Sequence, residues 1–115
     1  MSNLPVRKIK AVDGEKVLRW EFNAFKVTDN LFIHKRIDYS TGKPTRERID
    51  VKWSITAQPS GIAVWHCDSK EQAAELARAL NNRFDFSKTA EELLADEDLM
   101  KNGIKFIREF ELATI

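Results

Sequence analysis

The chain has 115 residues, a length that suits one domain with its own core and is short for two. Its 43% hydrophobic and 32% charged residues, with 4 Gly and 3 Pro, exclude a low-complexity or disordered chain. The net charge of +1 is unevenly placed: residues 1–52 hold 12 Lys+Arg against 7 Asp+Glu (+5), and residues 53–115 hold the remaining 7 against 11 (−4).

In chain order, strands come first. The pattern predicts a weak strand over 6–12, a turn at Asp13-Gly14, a second strand over about 16–27, and a hairpin loop at Asp29-Asn30. A third strand follows over about 31–39, then a polar loop from Ser40 to Thr45. From Arg48 to Ala57 the chain alternates without error: Ile49, Val51, Trp53, Ile55 and Ala57 against Arg48, Asp50, Lys52, Ser54 and Thr56. Successive strand side chains point to opposite faces, so this segment reads as a strand with one dry and one wet face. A turn at Gln58-Pro59-Ser60-Gly61 leads into a fifth strand over 62–67.

Helices follow. Ser69 with Gln72, and Thr89 with Glu92, have the spacing of capping boxes. After the first, Ala73, Leu76, Ala77, Leu80 and Phe84 form one apolar stripe. The second helix is expected to stop at Asn102-Gly103. The tail over 104–112 fits either a helix or a strand, with helix preferred. The expected architecture is a single α+β domain over 1–115. It has a four- or five-stranded antiparallel sheet, followed by two or three C-terminal helical segments packing on it.

Hairpin register sorts the side chains. With Asp29-Asn30 as a two-residue loop, Thr28 faces Leu31, Phe25 faces His34 and Trp20 faces Tyr39. In the next hairpin Ala57 faces Ile62, Ile55 faces Val64 and Trp53 faces His66, on the dry face. The opposite, polar face then also carries Phe25, Val27, Phe32 and Trp65. This patch, with His34 and Arg36 beside it, is the expected partner-binding site, for another protein or for a second copy of the chain. Burial of the patch under the C-terminal segment is the competing arrangement.

Enzyme chemistry finds little support. Adjacent His66 and Cys67 on a strand point apart and cannot form a nucleophile–base pair. Two His and one Cys are too few for a metal cluster, and the acids from Glu91 to Asp98 lack a calcium-loop glycine. Gly42-Lys43-Pro44-Thr45 lacks the first glycine of a phosphate loop. No catalytic residue, metal or cofactor is therefore expected. The lone Cys67, the absence of an apolar run of roughly 20 residues and the polar N-terminus point to a cytoplasmic protein without membrane contact.

The stretch Ile62-Ala63-Val64-Trp65-His66-Cys67-Asp68 running into Ser69-Lys70-Glu71-Gln72 resembles the last strand and helix of pleckstrin-homology-type modules. That fold has seven strands where the pattern here predicts about five, so no residue or activity carries across. The leading expectation is a non-catalytic binding or regulatory protein, of a size that suits a small prokaryotic or phage accessory protein. The second is single-stranded DNA or RNA binding by the same face, with Lys35, Arg36, Lys43, Arg46, Arg48 and Lys52 on the phosphates. The third is a small enzyme with a dispersed site.

Overall fold

The computed structural model describes residues 4–12, 18–38, 43–44 and 52–113. The expected strand residues 48–51, the turn at Asp13-Gly14, Tyr39, Arg46 and Arg48 lie outside the described residues, as does the Lys43 side chain. The elements are β1 (Val6–Val12), β2 (Leu18–Lys26), β3 (Leu31–Lys35), β4 (Ile37–Asp38), β5 (Lys43–Pro44), β6 (Trp53–Ala57), β7 (Ala63–Cys67), α1 (Lys70–Arg83), α2 (Ala90–Leu94) and α3 (Glu97–Ala113). Five strands form one antiparallel sheet in the order β1-β2-β3-β6-β7, and β4 pairs with β5 separately. The C-terminal helices pack on this sheet, which makes the fold α+β.

The first hairpin is threaded one position away from the expected register, and the second keeps the expected facing of Ala57 and Ile62 at its turn but is shifted by one residue beyond a bulge. In the first, Phe25 pairs with Ile33 and Lys26 with Phe32. The loop has three residues, because Val27 N and Thr28 N both donate to Leu31 O (3.0 and 3.1 Å) and Thr28 Oγ1 accepts from Leu31 N. Asn30 serves the neighbouring turn: its side-chain amide donates to Gln58 O, and its own carbonyl accepts from Gln58 N. In the second hairpin Trp53 pairs with Cys67, Ser54 with His66 and Ile55 with Trp65. The ladder then skips to Thr56 and Ala63, leaving Val64 as the extra residue of a bulge. A slip of one residue exchanges the faces.

The helix-facing side of the sheet therefore holds Phe25, Val27, Leu31, Ile33, Trp53, Ile55, Ala57, Trp65 and Cys67. Helix α1 lies across β3, β6 and β7 and buries Ala73, Ala74, Leu76, Ala77 and Leu80 against them. Its cap works as the spacing predicts, Ser69 Oγ accepting from Gln72 N at 3.1 Å, although Gln72 reaches back to Asp68 N. In α2 the capping box is complete. The next helix does not stop at Asn102-Gly103. The break falls at Ala95-Asp96, where Asp96 Oδ1 accepts from Leu99 N (3.1 Å) and starts α3, which runs on through a buried Gly103. The tail is helical.

The other face is not wet. Ile9, Ala24 and Phe32 form a second buried cluster there with half-buried Phe22, and Ser54 and Thr56 are buried beside it. Burial on this side follows from the path of the β1–β2 hairpin. Its strands pair along their whole length, but β2 stays beside β3 for only two residue pairs. The free end then swings to the β6–β7 turn. Val12 N donates to Gly61 O at 3.0 Å, and the Gln58 side-chain amide both donates to Lys10 O and accepts from Lys10 N. Three strand steps would separate β1 from β6 by about 14 Å in a flat sheet, so the sheet curls. Its concave side buries Ile9, Ala11 and Ala24, and its convex side exposes Lys8, Lys10, Glu21 and Asn23.

Candidate functional site

The expected partner-binding residues divide between the two faces. Phe25, Val27 and Trp65 are half-buried on the helix side, while Phe32 and His34 are buried on the concave side. They do not form one patch. The Lys70 ammonium from the first turn of α1 sits 3.8 Å from the Phe25 ring centroid, and Trp53 lies 6.0 Å from it ring to ring. Phe25 is thus covered by a cation and an aromatic neighbour of its own chain.

The two histidines exchange their expected roles. His34 is the satisfied core histidine. Its Nδ1 lies 2.8 Å from Lys35 O and its Nε2 2.7 Å from Thr56 Oγ1. A carbonyl only accepts, so Nδ1 carries the proton, Nε2 accepts, and the Thr56 hydroxyl donates. Burial, with His66 adding a small repulsion, drops the ring to a pKa of about 4, against a backbone hydrogen bond that works the other way. Phe22 meets the ring edge-on at 4.6 Å. His66 is exposed on the same face, opposite Ser54 and not Trp53. Ser54 Oγ lies 2.7 Å from His66 Nδ1, the spacing of a nucleophile–base pair. Ser54 is only 2% exposed, so its hydroxyl orients the imidazole and offers no approach to a substrate. Burial first, then Glu111 and Asp68, push the Cys67 thiol up to about 11 and leave it inert. No group of three or more metal-binding side chains occurs among the described residues.

An apolar groove is the site that register reasoning did not foresee. It runs between β7, the outermost strand of the sheet, and the α2–α3 hairpin, with a volume of about 230 Å³. Val64 and Trp65 form one wall, Leu94, Met100 and Ile104 the other, and Leu80, Phe86, Leu93 and Ile107 the floor. The wall is open to solvent: Leu94 is 38%, Met100 48% and Ile104 51% exposed. Trp65 is the one expected site residue that lines it. The bulge puts Val64 there as well, because an extra residue on β7 has no ladder partner. A signal was present in the sequence, since Leu99, Met100, Gly103, Ile104 and Ile107 make an apolar stripe wider than packing on α1 requires.

One residue on from Met100, Ile104 and Ile107, about 100° around α3, lie Lys101, Lys105 and Arg108. Lys101 meets Glu97 at 4.0 Å with both side chains largely exposed, and Lys105 and Arg108 make no ion pair among the described residues. The open apolar channel is therefore bordered along the middle of α3 by Lys101, Lys105 and Arg108, with Glu97 and Glu111 towards its two ends. Among the described residues no helix is long and apolar enough to cross a membrane. Comparison of the chain with protein-family models, with curated proteins and with solved structures returns no match.

Proposed function

We propose that the protein is a non-catalytic binding module that takes an apolar segment of a partner protein, flanked by acidic residues, into the groove between β7 and α3. The observation that carries this reading is the half-exposed pair Met100 and Ile104 beside Trp65. Soluble proteins seldom leave contiguous apolar surface open unless something docks there. The cationic flank of Lys101, Lys105 and Arg108 argues for carboxylates on the partner, since opposite potentials steer and register a contact. A buried, unreactive Cys67 suits the cytoplasmic setting inferred for it.

Selection from a displayed random-peptide library tests the proposal. Recovered peptides are expected to pair two or more large apolar residues with neighbouring Asp or Glu. Their binding is expected to fall at least tenfold on Ile104→Glu, a substitution at an exposed position that leaves the unfolding midpoint in place. Peptides that bind Ile104→Glu equally well overturn the reading. So does sedimentation showing that Ile104 closes a dimer of the chain itself, which would make a second copy the occupant.

A further inference from the structure

A second constellation lies at the far end of the concave face. Residues paired across antiparallel strands share a face, and every second residue returns to it. His34, Ser54 and His66 thus form one row, and Arg36, Lys52 and Asp68 the next. Arg36 N donates to Lys52 O at 2.8 Å, which fixes the second row just beyond the end of the β3–β6 ladder. Ser54 holds His66 by Nδ1, so Nε2 is the ring nitrogen left for a ligand. Arg36 makes no ion pair among the described residues. Among the described residues Lys52 meets only Asp68, loosely at 4.0 Å, with both side chains in solvent.

Among the described residues the charges around His66 are therefore Arg36 and Lys52 on its own face, Asp68 beside Lys52, neutral His34 two strands away, and Glu111 of α3 across the hollow at the β7 edge. After burial, the influences that hold His66 below the ordinary imidazole range are Arg36 and then Lys52. The ring thus feels a positive field that the two carboxylates do not cancel.

We propose that Arg36, Lys52 and His66 form a binding site for a phosphate group. A guanidinium fork, an ammonium and an imidazole N–H offer donors from three directions, which suits a tetrahedral oxyanion better than a two-oxygen carboxylate. The phosphate belongs either to a small phosphate or phosphomonoester or to the backbone of single-stranded nucleic acid. The site shares no residue with the groove, so it stands or falls independently of the partner-binding reading.

The chain has only two histidines, so NMR of their ring protons gives the test, with His34 as internal control. Titrations are run in sodium chloride, in inorganic phosphate at equal ionic strength, and with an oligothymidylate. His66 is expected to titrate about one pH unit higher when the anion is bound. His34 is expected not to move, and the Arg36→Ala/Lys52→Ala double variant is expected to lose the rise while keeping its His34 signal. A response to inorganic phosphate assigns the small ligand. A response to the oligonucleotide alone, fading steeply with salt, assigns the nucleic-acid backbone. An unchanged His66 titration with both, or a rise that survives the double substitution, overturns the proposal.

Discussion

At the scale of single residues, His34 carries the clearest consequence for stability. Its folded pKa of about 4 lies below the ordinary imidazole value of 6.5. Above pH 6.5 the ring is neutral in both states and costs nothing. As pH falls from 6.5 toward 4 the unfolded chain takes up a proton that the folded chain refuses, so stability is lost through that window. At about 1.4 kcal/mol per pH unit the loss is on the order of 3 kcal/mol. His66, also held low, acts in the same direction. Urea midpoints at pH 7 and pH 4.5 are therefore expected to differ more for the parent than for His34→Gln. The variant is weaker at pH 7 because Gln cannot reproduce both bonds to Lys35 O and Thr56 Oγ1. Equal pH dependence in the two proteins would show that His34 is not the titrating group. None of this was legible in the sequence, where His34 and His66 differ only by neighbours and the register decides which one is enclosed.

At the scale of elements, helix starts were legible and hairpin register only in part, for a physical reason. A cap is a local bargain: Ser69 with Gln72 and Thr89 with Glu92 satisfy amides within four residues, and both helix starts are where the spacing puts them. Register is set by loop length and turn geometry as well as by the apolar pattern, and here the Thr28 hydroxyl and the bond from Asn30 to Gln58 accompany a loop one residue longer. The Asn102-Gly103 pair misleads in the other direction, because a stop signal is overridden when the helix face around it is buried. Gly103 is also a position where side-chain volume is missing. A Cβ there would meet Leu99 Cδ1 at 3.4 Å, an ordinary contact with the end of a flexible side chain. Gly103→Ala is therefore expected to raise stability by about 1 kcal/mol through helix propensity. It is also expected to narrow the groove and weaken peptide binding. A variant that is more stable in urea and poorer in capture would separate the docking role of this groove-lining position from its structural one.

At the scale of the whole molecule, the class of fold was readable and its closure was not. Strands before helices, with perfect alternation in β6, correctly suggest an antiparallel sheet under helices. They wrongly suggest that Ser54 and Thr56 face water, since both are buried on the side opposite α1. A sequence pattern reports side-chain polarity, whereas burial on this side depends on where the β1–β2 hairpin swings. The expected aromatic patch was drawn on a flat sheet. Curling and register together send Phe25 and Trp65 to the helices and Phe32 to the concave cluster.

The amide of Gln58, bonded to both main-chain groups of Lys10, behaves as a clasp across the seam where the first hairpin meets the second. Only Val12 N to Gly61 O supports it there among the described residues. Gln58→Ala should therefore let the hairpin breathe while the helix-covered layer stays shut. Deuterium exchange is expected to quicken at Lys10 and Val12 and remain slow at Ile33 and Ile55. Uniformly faster exchange would mean that the two layers open together, as a single cooperative unit.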